Sequence, residues 1–187
     1  MSRLNREDWA SAALEAIASG GGISAVAVEP LAVRLGATKG SFYWHFASRA
    51  ELVEAALDLW EQRATVDVIE KIESSGGTGE QRLRALFEHT FQTAALGGAD
   101  MALLSHTDLT IVREAVDRVT RRRIRYIAKL LHSAGVPSTV ARRRAVLAYS
   151  AFLGNLQLAH ASPELLRRSV GSVSRYADEV MATLLSH

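Results

Sequence analysis

Helix starts punctuate this chain from one end to the other while strand signals are nearly absent, and that pattern confines it to an all-α fold. Asn5 stands where it caps a first helix, with Asp8 three residues on in the manner of a capping box. Leu4 and Trp9 are placed to staple that start. Trp9, Ala13 and Ile17 then fall on one stripe that stops at Gly20-Gly21-Gly22. Short helices are expected at Val28 to Leu35 and Lys39 to His45, the first with Pro30 in its opening turn and the second capped by Thr38. Ser48-Arg49-Ala50-Glu51 reads as a full capping box opening a long helix to Ile72. Ser74-Ser75-Gly76-Gly77 is a linker, and Thr78 starts a helix carrying Leu83, Leu86, Phe87 and Phe91, broken at Gly97-Gly98. Further helices are expected from Thr107 to Ala134, from Ser138 to His160, and from Ser162-Pro163 to Leu185, about nine in all.

Composition removes several classes of function. The 187 residues contain no cysteine, so disulfides, thiolate nucleophiles and cysteine-based zinc sites are excluded. The six histidines, at 45, 89, 106, 132, 160 and 187, do not fall at ligand spacing along any one helix, so no metal is expected. No apolar run opens the chain and none is long enough to span a bilayer, which leads to an expected cytoplasmic location. Net charge is only +2, and the first fifty residues set five cations against four carboxylates. Any nucleic-acid binding therefore depends on where a few cations sit rather than on bulk charge.

Residues 28–46 have the spacing of a helix-turn-helix. Ala32 is small enough for two helices to cross closely, and Gly36 falls in the turn, where a left-handed backbone is easiest for glycine. Phe42 and Phe46, four residues apart, anchor the second helix from inside. That leaves Lys39, Gly40, Ser41, Tyr43, Trp44 and His45 for the outside, and an exposed Tyr-Trp-His run is costly on a surface that binds nothing.

The string from Gly36 to Leu52, GATKGSFYWHFASRAEL, resembles the recognition helix and following turn of the TetR family of bacterial regulators, and the likeness extends over about Leu4 to Leu57. The resemblance implies a DNA-binding domain at 1–48, and a larger helical effector-binding and dimerisation domain at 49–187 joined to it by the helix from 49. It implies that the short helix enters the major groove with Lys39, Gly40 and Ser41 at base edges, lysine donating to guanine O6 and N7. Thr38, Tyr43, Trp44, His45 and Arg49 are then expected at phosphates, with Trp44 packing against the helix from Ser48 as its other option. One position departs from the family. Ala27 stands where a capping Thr or Ser usually touches phosphate, leaving Ser24 or Arg34 as substitutes.

In the second half, the helix from Ser138 is apolar on two faces, one of which holds Leu147, Ala151, Gly154 and Leu158. The last helix repeats apolar residues at three-and-four spacing through Leu166, Val170, Val173, Ala177, Val180 and Leu184. Two copies of this helix pair make a four-helix bundle, so a homodimer is expected. An effector cavity is expected among Trp60, Phe87, Phe91, Tyr126, Tyr149, Phe152 and Asn155, with His89 or His106 as polar anchors; each of these also reads as an ordinary core residue. The effector is an unidentified small molecule, and no cofactor is expected. The runs Arg121-Arg122-Arg123-Ile124-Arg125 and Arg142-Arg143-Arg144 read as solvated helix faces, with Glu114–Arg118 and Asp117–Arg121 as four-residue charge pairs.

Taken with the family resemblance, these observations lead to an expected sequence-specific regulator that binds double-stranded DNA at a near-palindromic operator as a homodimer; that it is a ligand-responsive repressor is what the resemblance implies. An enzyme is not expected: Gly-x-Ser-x-Gly, a phosphate-binding glycine loop and His-Glu-x-x-His are all missing from the sequence. The alternative is a helical small-molecule-binding or scaffold protein without DNA activity. Such a protein has no use for the outward face of Lys39 to Arg49.

Overall fold

Asn5 does what its position promised: its side chain accepts hydrogen bonds from the backbone N–H groups of Glu7 and Asp8, while the Asp8 carboxylate accepts from Asn5 N at 2.7 Å. The helix so started, α1, spans Arg6–Ala16. A computed structural model describes residues 4–186; Arg3 and His187, counted above among the charges and histidines, lie outside them. Among the described residues every regular element is a helix, with no strand. After α1 come α2 (Val28–Arg34), α3 (Lys39–Phe42), α4 (Arg49–Glu61), α5 (Asp67–Ser74) and α6 (Gly79–Thr93). Then follow α7 (Gly98–Leu104), α8 (Thr110–Ser133), α9 (Ser138–Ala161), α10 (Pro163–Val170) and α11 (Val173–Leu185). No described helix is long and apolar enough to cross a membrane.

The chain packs as two compact units. One runs to Ala64 and adds Gly98–Arg118; the other comprises Thr65–Gly97 and the residues from Val119 onward. In the first unit α1 lies against α4, and the buried Trp9, Ile17, Phe42, Phe46, Leu52 and Leu57 form its centre. In the second, α6, α8, α9 and α11 enclose Leu83, Phe87, Leu130, Leu131, Ala145 and Met181. The start of α6 is secured by a reciprocal box between Thr78 and Gln81.

Three elements differ from the sequence expectation. The helix from Ser48 reaches Ser74, but through a π-type turn at Gln62–Val66. A short helix, α7, occupies Gly98–Leu104, where the paired glycines marked only a break. The last helix is cut in two at Gly171, whose φ of 70° and ψ of −106° mirror an extended backbone and suit glycine alone. Ser172 then caps α11 by accepting from Arg175 N at 3.2 Å. Its last carbonyls are capped as well, because Arg144 donates to Leu184 O and Ser186 O. One member of the Arg142–Arg144 run is therefore a structural clasp rather than a solvated charge.

Candidate functional site

The turn between α2 and α3 is built around Gly36, at φ 62°, with Ala37 N donating to Ala32 O at 2.8 Å across it. Thr38 caps α3: its Oγ1 accepts from Ser41 N at 3.1 Å, and Ser41 Oγ returns a bond to Thr38 O at 2.9 Å. Beneath the helix, Phe42 is wholly buried and Phe46 is 1% exposed. Their rings stack at 5.5 Å, and Trp9 meets Phe42 edge-on at 5.4 Å. Two phenyl rings and an indole thus fix a helix too short to hold itself together by its own hydrogen bonds.

The opposite face is open. Lys39 and Gly40 are exposed, Ser41 and His45 half-buried. Tyr43 is 57% exposed and Trp44 83%, so Trp44 does not pack under the helix from Ser48. An indole left in water on the same face as a lysine and a serine leaves apolar surface for a partner to cover. Lys39 Nζ bonds to Glu29 Oε1 at 2.7 Å. That hydrogen bond holds the Glu29 carboxyl below the usual carboxylate range and the Lys39 ammonium above its own.

Arg49 and its neighbours take a different arrangement from the one the sequence implied. Arg49 Nε donates to Val26 O at 2.6 Å and Nη2 to Ile23 O at 2.5 Å, which ties the start of α4 to the residues just before α2. The guanidinium is thereby committed to backbone carbonyls, with only its remaining N–H groups left for phosphate. Ser48 accepts from Glu51 N, but the Glu51 carboxylate returns to Ala47 N at 2.7 Å rather than to Ser48, and also pairs with Arg6. The bond from Ala47, then Arg6, keeps Glu51 below the usual carboxylate range. Ala27 provides no side-chain cap for α2. Of its substitutes, Arg34 is paired with Glu15, and Ser24 is exposed.

The expected cavity residues separate between the units. Trp60 and His106 belong to the first, where Trp60 is core. His106 packs against Gly22, where a Cβ would sit 2.4 Å from its ring, and its Nδ1 is 2.7 Å from Ala102 O. Phe87, Phe91, Tyr126, Tyr149 and Phe152 belong to the second unit's core cluster. His89 is half-buried there, and burial, followed by the nearby Lys71 charge, holds it below the usual imidazole range.

A cavity of about 250 Å³ does open in the second unit, bounded by α6, α9, α10 and α11. Only Phe91 and Asn155 of the expected set line it; Leu166, Val170, Val173 and Tyr176 complete its apolar wall, with Arg167 also lining it. Asn155 is 4% exposed and its Oδ1 finds no hydrogen-bond partner. Gly171, at the break between α10 and α11, also lines the cavity, and apolar spacing that continues through Val170 and Val173 gives no sign of that break.

The dimer candidates also divide. Leu147 is 55% exposed, and Leu158 and Gly154 are exposed too; with Ala151 half-buried, this keeps the outward side of α9 apolar. Leu147, Ala151 and Val180 line a second apolar groove, between α9 and α11. Ala177 is buried inside the protomer's own core, as is Leu184 although it also borders that groove, and Leu166, Val170 and Val173 border the cavity. The three-and-four spacing of the last helix marked intrachain packing as much as any interface. Arg118 likewise leaves its expected partner Glu114 for Asp58 and Glu61 of α4, at 3.2 and 2.5 Å.

Residues 11–56 match the family model described as bacterial regulatory proteins, tetR family. No curated protein matches the chain. Among solved structures, the fold is similar to that of SmeT, the repressor of the Stenotrophomonas maltophilia multidrug efflux pump SmeDEF. The identity is 20%, covering 98% of this chain and 90% of that one, with a TM-score of 0.70. It is also similar to the transcriptional regulator FadR from Bacillus subtilis in complex with stearoyl-CoA, at 15% identity over 96% and 97% of the two chains, with a TM-score of 0.65.

Proposed function

Residues 11–56 match the model of bacterial regulatory proteins, tetR family, and from that premise we propose that the chain represses transcription by binding a near-palindromic operator as a homodimer released by a small molecule. One observation supports the DNA-reading part above the others: α3 is fastened from below by buried Phe42 and Phe46 while Lys39, Gly40, Tyr43 and Trp44 stay open on its other side. A face so rigidly presented suits base edges, where Lys39 and Ser41 donate and accept, while Thr38, Tyr43, Trp44 and His45 meet the sugar-phosphate backbone. Arg49 acts chiefly by bracing that face.

Dimerisation rests on the apolar outward side of α9 and the α9–α11 groove, with Leu147, Ala151, Gly154, Leu158 and Val180 as the contacts. Two reading heads related by a two-fold axis multiply the few contacts that one short helix makes. The effector reading rests on the cavity lined in part by Asn155, whose buried amide oxygen is unpaired. A ligand acts only so far as it binds one state of the dimer better than the other. FadR was solved with stearoyl-CoA; a cavity of about 250 Å³ suits a smaller occupant than a long acyl chain. Such a protein works in the cytoplasm, where its DNA is.

Selection of bound fragments from the source genome by the purified protein tests the reading. Enrichment of a short inverted repeat is the expected result, and recovery of fragments with no shared sequence refutes it.

A further inference from the structure

Glu29 stood outside the expected reading set, yet it shares a face with it. Its Oε1 lies 2.7 Å from Lys39 Nζ, ten residues on, with 71% of the Glu29 side chain and 56% of the Lys39 side chain exposed. A bare carboxylate on a surface that meets two rows of phosphates is unfavourable for every sequence. It becomes favourable only where the duplex offers a donor. In the major groove the cytosine N4 amino group is the donor that a glutamate takes, and guanine O6 and N7 are the acceptors that a lysine takes. Those groups adjoin within one base pair, and an ammonium and a carboxylate one hydrogen bond apart match that juxtaposition.

On the DNA-binding reading above, we propose that Glu29 is a specificity-determining residue, acting with Lys39 as a coupled acceptor and donor that selects a G·C pair in each half-site. The pair stays joined on the duplex, Lys39 turned to guanine and Glu29 to its cytosine. Sequences without that amino group leave the second Glu29 oxygen, the one not bonded to Lys39, without a donor and are rejected. Glu29 has one competing role, as a first-turn carboxylate for α2, whose cap residue Ala27 makes no side-chain bond. That role affects stability and leaves base preference untouched.

The test uses the full chain, with its selected operator, that operator with one base pair changed at a time, and an unrelated duplex. Wild type, Glu29→Ala and Glu29→Gln are titrated on each and melted without DNA. In wild type, replacing one G·C pair per half-site is expected to weaken binding by about ten- to a hundredfold. In Glu29→Ala that penalty falls below about threefold while affinity for unrelated DNA rises. Glu29→Gln, which drops the charge but keeps an acceptor oxygen, gains the same unrelated-DNA affinity and retains part of the penalty. If both variants keep the full penalty and only the melting temperature moves, Glu29 is a helix-start carboxylate and the inference fails. Failure of wild type to prefer any sequence is a separate outcome, which overturns the DNA-binding reading beneath it.

Discussion

Arg49 occupies a position that the family resemblance assigns to phosphate, but its Nε and Nη2 are spent on Val26 O and Ile23 O. A charged donor bonded to two carbonyls supports the junction between α4 and the residues preceding α2 before any DNA arrives. Arg49→Ala is therefore expected to lower unfolding free energy by about 1–2 kcal/mol, read by denaturant titration. Its DNA affinity should fall alike on operator and unrelated duplex. An unchanged unfolding midpoint would return Arg49 to a phosphate-binding role alone. The place of Lys39 and Ser41 on α3 was legible from the sequence because position in a short motif fixes it. Glu29 and His106 were not, because their partners, Lys39 and Gly22, are joined to them by folding rather than by spacing.

At the scale of elements, the break at Gly171 separates α10 from α11 and sets Leu166 and Val170 across from Tyr176 and Asn155 around the cavity. A Cβ at Gly171 meets open space, so only the backbone conformation resists substitution. Gly171→Ala is expected to cost about 1–3 kcal/mol of stability, and full stability in a melting experiment would mean that the two helices need no such break. Most helices could be read from caps: Asn5, Thr38, Ser48 and Thr78 all accept the bonds their positions implied. The Gly171 break was harder, since apolar spacing continues across it through Val170 and Val173. The helix α7 was hidden by its own glycines, of which Gly98 lies in close approach to Ala18 O.

For the whole molecule, the proposed dimer rests on the apolar side of α9, and with it the number of reading heads that meet the duplex. Leu147 is 55% exposed and outside the core, so Leu147→Glu should leave the fold intact while converting dimer to monomer in sedimentation. An unchanged dimer would move the interface elsewhere. The all-helical architecture was legible because caps and apolar stripes are local signals. Which apolar faces turn inward was not, since Ala177 and Leu184 carry the same periodicity as Val180 yet close the protomer's own core. Whether the open side of α3 reads DNA is decided by titrating the selected operator and a scrambled duplex with wild type, Lys39→Ala and Ser41→Ala. Each substitution is expected to weaken operator binding by about ten- to a hundredfold while changing scrambled-duplex binding far less. Equal affinity of all three proteins for both duplexes would contradict that reading.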